Sequence, residues 1–266
     1  AFSISSYPQY GTLLNGLADL FAAKPNQMML SAGSDEAFLA LCSVFIEPGR
    51  DTAVIANPTF GVIKQALVSA EAKIIEVPVR ADMSFDLAAL DEAVKTKPKL
   101  VILPTPDNPT GAVLPLDFVR QWSLQCPDTV FVIDEAYYEY CGVTALPLID
   151  DRSNLLVLRT FSKAWGLAGL RVGVTIGSAS LIALLKKVRL PFPVSSLSAE
   201  LVLRALDMRE LVERQADETM ARKHALLPRL QERGLEFVAG GANFYLLKMG
   251  KDAAAFCDHL RLNKIL

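Results

Sequence analysis

The sequence predicts an α/β protein: a three-layer α/β/α large domain on a mainly parallel sheet, followed by a smaller α+β domain. Three observations carry that prediction. Short apolar, β-branched runs recur up to residue 176, and runs of that length and composition are strands buried on both faces. Helical patterns lie between most of them, the alternation that covers both faces of a sheet with helices. The pattern then breaks at Leu190-Pro191-Phe192-Pro193, after which a long, charge-laced helical stretch begins.

In chain order, Ser34 reads as the N-cap of an apolar helix over 37–46. Residues 52–56, 73–77, 100–103, 130–133, 155–158 and 172–176 read as strands, with a helix over 116–124 between the third and fourth. A single helix is predicted from Ser198 to about Arg222, continuing to Arg233. Residues 236–239 and 244–248 read as strands flanking a Gly240-Gly241 turn, and RLNKIL at the end reads as a further strand. The predicted boundary puts residues 1–195 in the large domain, with an N-terminal arm, and 196–266 in the small one, which looks incomplete at Leu266.

Composition narrows the function classes. Of 266 residues, 52% are hydrophobic, enough for a substantial core, and 27 Lys and Arg against 29 Asp and Glu leave a formal charge of −2. That balance argues against a nucleic-acid or membrane-surface partner. The longest charge-free apolar stretch, 172–185, is too short and too rich in glycine and serine to span a bilayer, and no cleavable signal opens the chain, so a cytoplasmic protein is expected. Cys42, Cys126, Cys141 and Cys257 form no CxxC pair and read as reduced core thiols; with only two histidines, a metal site is not expected.

Chemistry concentrates where strands end. Lys163 follows the run 155–158, lies among the hydroxyls of Thr160 and Ser162, and is followed eight residues on by Arg171 in a glycine-rich stretch. A lysine so placed suits an amine nucleophile beside an anion site, because desolvation or a neighbouring cation lowers its pKa. The strand 130–133 runs into Asp134, Glu135, Ala136 and Tyr137, a carboxylate and a phenol at the kind of edge that lines ligand crevices in open sheets. The strand 100–103 runs into Pro106 to Gly111, where prolines and glycine force a turn and free the Asn108 amide. The amides of Gly33, Ser34 and Asp35 open a helix, a natural anion site. Asp35 and Glu36 suit it only if their side chains turn away.

In this order, NPTG (108–111), DEAY (134–137) and SKAWGLAGLRVG (162–173) resemble the fold type I pyridoxal-phosphate aminotransferases, the aspartate-aminotransferase-like fold. YPQYG (7–11), GSDEA (33–37), NPTFGV (57–62) and LRTFSKAWGLAGLRVG (158–173) are most similar to the histidinol-phosphate aminotransferases, and the likeness covers essentially the whole chain. The resemblance implies pyridoxal 5'-phosphate as cofactor. Lys163 would hold it covalently and then act as acid and base; Asp134 would keep its pyridine nitrogen protonated. Asn108 and Tyr137 would bond its phenolic oxygen, and Phe60 and Ala136 would flank its ring. Ser162, Arg171, Thr160 and the Gly33, Ser34 and Asp35 amides would hold its phosphate. It further implies a homodimer with shared active sites, Tyr7 reaching the partner's phosphate group; the other reading makes Tyr7 an anchor buried in its own subunit.

The expected reaction is transfer of an amino group between a small-molecule amino donor, L-histidinol phosphate, and a 2-oxo acid, 2-oxoglutarate, in histidine biosynthesis. An aromatic-amino-acid aminotransferase and a threonine-phosphate decarboxylase use the same cofactor half. A non-enzymatic reading is the aminotransferase-like sensor half of a transcription regulator. Ala1 is not a start methionine, and relatives carry substrate-binding arginines beyond a point resembling Leu266, so the chain reads as a fragment or one with its ends left out.

Overall fold

The computed structural model describes residues 5–265. Helix α1 (Gly11–Phe21), strand β1 (Met28–Ser31) and α2 (Gly33–Phe45) are followed by β2 (Thr52–Asn57), α3 (Gly61–Ser69), β3 (Lys73–Pro78), α4 (Leu87–Lys95), β4 (Leu100–Pro104), α5 (Leu116–Gln125) and β5 (Val130–Asp134). After the short α6 (Tyr138–Cys141) come β6 (Leu155–Thr160), β7 (Gly173–Gly177), α7 (Ala179–Leu185), α8 (Ser196–Leu206), α9 (Arg209–Glu232), the hairpin β8 (Phe237–Ala239) and β9 (Tyr245–Leu247), and α10 (Ala253–Leu262). No helix among the described residues is long and apolar enough to cross a membrane.

Strands β1 to β7 form one sheet in the order β1-β7-β6-β5-β4-β2-β3. The ladders from β6 to β3 are parallel, and β7 alone runs against its neighbours β1 and β6. Alternate residues serve opposite faces. In β4, Val101 and Leu103 join Leu17 of α1, Leu90 of α4, Trp122 of α5 and Val202 of α8 on one side. Leu100 and Ile102 join Phe38 of α2, Ile63 of α3 and Ile182 of α7 on the other. Two cores on two faces explain why these strands read as continuous apolar runs. The three-layer α/β architecture is as expected.

Four details differ from the sequence reading. Strand β1 was not anticipated: MMLS is buried throughout but only four residues long, too short for periodicity to tell strand from helix. The long helix is two: α8 ends at Leu206 and α9 begins at Arg209, although no proline or glycine marks the break. RLNKIL is not a strand. Arg261 and Leu262 close α10, whose less exposed side chains Phe256, Cys257 and Leu260 follow helical spacing, and Leu266 lies outside the described residues. Of the cysteines, all free, Cys42 and Cys126 are core, whereas Cys141 and Cys257 are only half-buried.

The β8–β9 hairpin meets the large sheet through the Gly240-Gly241 turn. Gly241 N–H donates to the Gly111 carbonyl at 2.8 Å, and a Cβ on Gly240 would collide with the Gly111 backbone. From α9, the buried Lys223 donates to the Gly240 and Ala242 carbonyls, both at 2.6 Å. Ala242 packs with Ala136 and Tyr137, and Phe244 meets the Tyr137 ring edge-on at 5.2 Å.

Candidate active site

Sheet order dictates where the site lies. From β2 the chain steps outward to β3, then returns to β4 on the other side of β2, which opens a crevice at the carboxyl ends of the strands. Residues at four such ends face one cavity open to solvent: Phe60 after β2, Asn108 after β4, Asp134 closing β5 and Thr160 closing β6. Because β1 runs parallel to β6, its carboxyl end presents the N-terminus of α2 at the same edge; because β7 runs antiparallel, the residues before it, including Arg171, are there too.

Lys163 lies on the loop from β6 and reaches this cavity, its Nζ 5.3 Å from the centroid of the Tyr137 ring. Tyr137 is buried, and its hydroxyl accepts from Asn108 Nδ2 at 3.5 Å, the outer limit of a hydrogen bond. Asp134 is 4% exposed, and the one hydrogen bond given to its carboxyl comes from Ala136 N–H at 3.2 Å. Burial above all, then the charges of Glu135 and Asp107, push its pKa up to about 7, against the Ala136 amide and the Lys163 charge. A buried acid facing a cavity without a cation in hydrogen-bonding contact suits a ligand that brings a positively charged N–H. Phe60 and Ala136 also line the cavity.

The opposite end gathers groups able to hold an anion. Thr160 Oγ1 donates to Ser162 Oγ at 3.0 Å, and the first turn of α2 has no side-chain cap, which leaves its N–H groups to a ligand. The expected N-cap is corrected: α2 starts at Gly33, Ala32 holds the cap position, and Ser34 sits inside the first turn with the cavity before it. Gly33 adopts φ +77°, and the Arg171 guanidinium occupies the space a Cβ would need. Arg171 is itself left-handed at φ +53°, a conformation costing a non-glycine residue about 1–2 kcal/mol, of the kind found where function holds a side chain in place.

The acids of α2 behave differently from each other. Glu36 turns back to accept from Ala32 N–H at 2.5 Å, as expected. Asp35 does not turn away: its carboxylate lines the cavity and pairs with Arg171 Nη2 at 2.9 Å. Both side chains of that pair are 48% exposed, so it contributes only about 0–1 kcal/mol, and a dianion can displace or share it. Tyr7 is not brought to the cavity of its own chain. It is 73% exposed and stacks on Phe192 at 4.4 Å, which removes the buried-anchor reading.

Sequence reasoning missed the support beneath the cavity. Glu135, fully buried, pairs with Arg159 at 2.8 Å and accepts from Thr144 Oγ1 and Ala145 N–H. Arg159 lies 3.5 Å over the Tyr138 ring. Two charges at the ends of adjacent buried strands, β5 and β6, were the available signal, since buried charges are paired. Trp165 Nε1 donates to Glu139 at 3.0 Å and so ties the Lys163 loop to α6.

The fold and site define a cofactor-dependent enzyme of the aspartate-aminotransferase-like architecture. Residues 3–266 match the family described as aminotransferase class I and II, and the chain belongs to that family. It is 34% identical over 269 residues to histidinol-phosphate aminotransferase 1 of Carboxydothermus hydrogenoformans, covering 100% of this chain and 75% of that protein. It is 32% identical over 242 residues to the histidinol-phosphate aminotransferase of Ruminiclostridium cellulolyticum, covering 89% and 67%. The crystal structure of histidinol-phosphate aminotransferase from Sinorhizobium meliloti in complex with pyridoxal-5'-phosphate superposes with a TM-score of 0.88 at 27% identity, over 97% of this chain and 72% of that one. Aspartate aminotransferase from Thermus thermophilus with maleate shares the fold, with a TM-score of 0.81 at 22% identity, over 91% and 69%.

Proposed function

We propose that the protein is a pyridoxal-phosphate-dependent transaminase that moves an amino group between L-histidinol phosphate and 2-oxoglutarate. The observation that carries this reading is the single cavity in which an amine, a buried carboxyl and an anion cradle occupy three separate positions. The residues fit the cofactor: a neutral-leaning buried acid awaits a cationic nitrogen, and a glycine without room for a Cβ, an arginine and two hydroxyls await a phosphate. When bound, the cofactor supplies a carbon that exchanges amines and a protonated ring that draws negative charge from the substrate α-carbon.

The chain's own residues then divide the work. Lys163 Nζ would hold the cofactor covalently and, once freed by the substrate amine, would take the α-carbon proton. Asp134 ionises against the ring N–H. Asn108 and Tyr137 would hold the cofactor's phenolic oxygen, and Phe60 and small Ala136 would flank its ring. Amides at Gly33, Ser34 and Asp35, with Thr160, Ser162 and Arg171, grip the phosphate. Profiling amino donors with 2-oxoglutarate tests the substrate assignment. Turnover of L-histidinol phosphate should exceed that of aromatic amino acids; preference for the latter, or carbon dioxide release from threonine phosphate, overturns it.

Removing the phosphate's cation should affect binding before chemistry. Arg171→Ala is expected to weaken cofactor binding about 10- to 100-fold, the worth of one charge-assisted contact, while kcat at saturating cofactor stays within about threefold. Absorbance titration of the apoprotein measures the first and steady-state kinetics the second.

We further propose a cytoplasmic homodimer with shared active sites, and a division into two domains after residue 195, with α8, seated in the large core through Ala199 and Val202, as the connection. The exposed Tyr7–Phe192 stack supports the dimer, since a large aromatic pair at the surface needs a covering. Mixed dimers of Lys163→Ala and Tyr7→Phe subunits should recover activity that neither homodimer has. No recovery, with Tyr7→Phe alone inactive, rules out sharing through Tyr7.

A further inference from the structure

Two walls of the cavity stand on turns that leave neighbouring strands. Phe60 follows β2 and Asn108 follows β4, and the β2–β4 ladder joins Ala53, Val54 and Ile55 to residues 100–102. Beyond it the ladder no longer sets the gap between the two turns.

Asp107 bridges that gap. Its side chain is completely buried and does not line the cavity. One carboxylate oxygen accepts from Thr59 Oγ1 at 2.6 Å and the other from Thr110 Oγ1 at 2.9 Å. Thr59 immediately precedes Phe60, and Asp107 immediately precedes Asn108. The Asp107 backbone is fixed as well, its N–H donating to the Ala112 carbonyl at 2.8 Å and its carbonyl accepting from Gly111 N–H at 2.7 Å. Among the described residues no lysine or arginine forms an ion pair with Asp107, unlike buried Glu135, so its carboxylate rests on hydroxyl and amide donors alone. Burial pushes its pKa above the ordinary carboxylate value, and the Thr59 and Thr110 hydroxyls oppose that rise. A buried carboxylate without a cation is costly to keep, and here one oxygen reaches across to the turn after β2 while the other is held by Thr110 of its own turn.

We propose that Asp107 is a positioning residue that ties the turn carrying Phe60 to the turn carrying Asn108, and so sets the spacing between the ring-stacking wall and the amide donor of the cofactor cavity. The proposal rests on the pyridoxal-phosphate reading above. Asp107 touches neither cofactor nor substrate and acts through its neighbours. Thr59 is the partner to change first, because valine matches its shape and lacks only the hydroxyl.

The test compares wild type, Thr59→Val, Thr59→Ser, Asn108→Ala and the Thr59→Val/Asn108→Ala double variant. Three quantities are read: the dissociation constant of pyridoxal 5'-phosphate, the pH at which the bound cofactor's visible band changes, and the melting temperature of the apoprotein. Thr59→Val should weaken binding about fivefold, the size of one hydrogen bond, and move the band's transition pH in the same direction as Asn108→Ala. Thr59→Ser should recover most of the loss. The double variant should fall short of the product of the single effects, as residues acting through one another do. Asp107→Asn should move the band in the same direction as Thr59→Val. A Thr59→Val protein with a lower melting temperature but an unmoved band and unchanged binding overturns the clamp, as does full multiplication in the double variant. If wild type shows no visible band, or borohydride labels a lysine other than Lys163, the cofactor reading itself has failed and takes the clamp with it; a normal wild type with unresponsive variants sinks the clamp alone.

Discussion

Lys163→Ala is expected to lower transamination by about 10⁴-fold or more, about 5.5 kcal/mol in the barrier, and to leave the fold intact. The size follows from two duties on one amine. In the proposed reaction it would anchor the cofactor covalently and move a proton that no other basic side chain facing the cavity is placed to move, since the Arg171 guanidinium does not deprotonate. The fold should not suffer, because Lys163 is exposed and forms no ion pair among the described residues. Purified wild type should carry a visible absorption band, and borohydride should fix the cofactor to Lys163. Labelling elsewhere, or variant turnover within about a hundredfold of wild type, refutes the assignment. The variant should still bind the cofactor noncovalently, because the phosphate cradle and Asp134 remain.

How much of this was written in the sequence depends on the residue. Strands β2 and β4 to β7 were legible because each buries two faces and so reads as a nearly unbroken apolar run, and β3, the half-buried edge strand, because of its β-branched Ile74, Ile75 and Val77; their ends shift by one or two residues. The cavity residues were legible because polar side chains directly after such runs have few places to go other than the sheet's carboxyl edge. Ser34 was misplaced for a local reason: the helix begins one residue before it, at Gly33, whose φ of +77° a glycine adopts freely, so serine falls inside the first turn instead of capping it. Asp35 was misjudged because its partner lies 136 residues away in the chain. The same distance problem hid the Glu135–Arg159 pair and the reach of Asp107 to Thr59, 48 residues upstream. Short-range patterns report which face a residue serves; they do not report which charge it meets there.

Asp134→Asn should separate stability from catalysis. In the protein without cofactor, burial holds the Asp134 pKa at about 7 against an ordinary 3.8, so between those values the folded chain keeps a proton that the unfolded chain has lost. Stability contributed by this group is then fully present below about pH 4 and lost as pH rises through about 7. The full difference corresponds to about 4 kcal/mol. Asparagine has the same shape and no charge to bury, so the apoprotein of the variant should melt several degrees above wild type at pH 8 and show little advantage at pH 4. Catalysis should go the other way. The carboxylate that is costly when alone would become the partner of a cationic ring nitrogen, and without it the ring would draw less negative charge from the substrate α-carbon. Turnover should fall well beyond tenfold while cofactor binding, held chiefly by the phosphate cradle, falls less. The measurements are apoprotein melting curves across pH 4 to 8 and kcat at saturating cofactor. A melting advantage that does not grow with pH shows that Asp134 is ionised without penalty, and turnover within about tenfold of wild type, only ~1.4 kcal/mol, removes its role opposite the ring nitrogen.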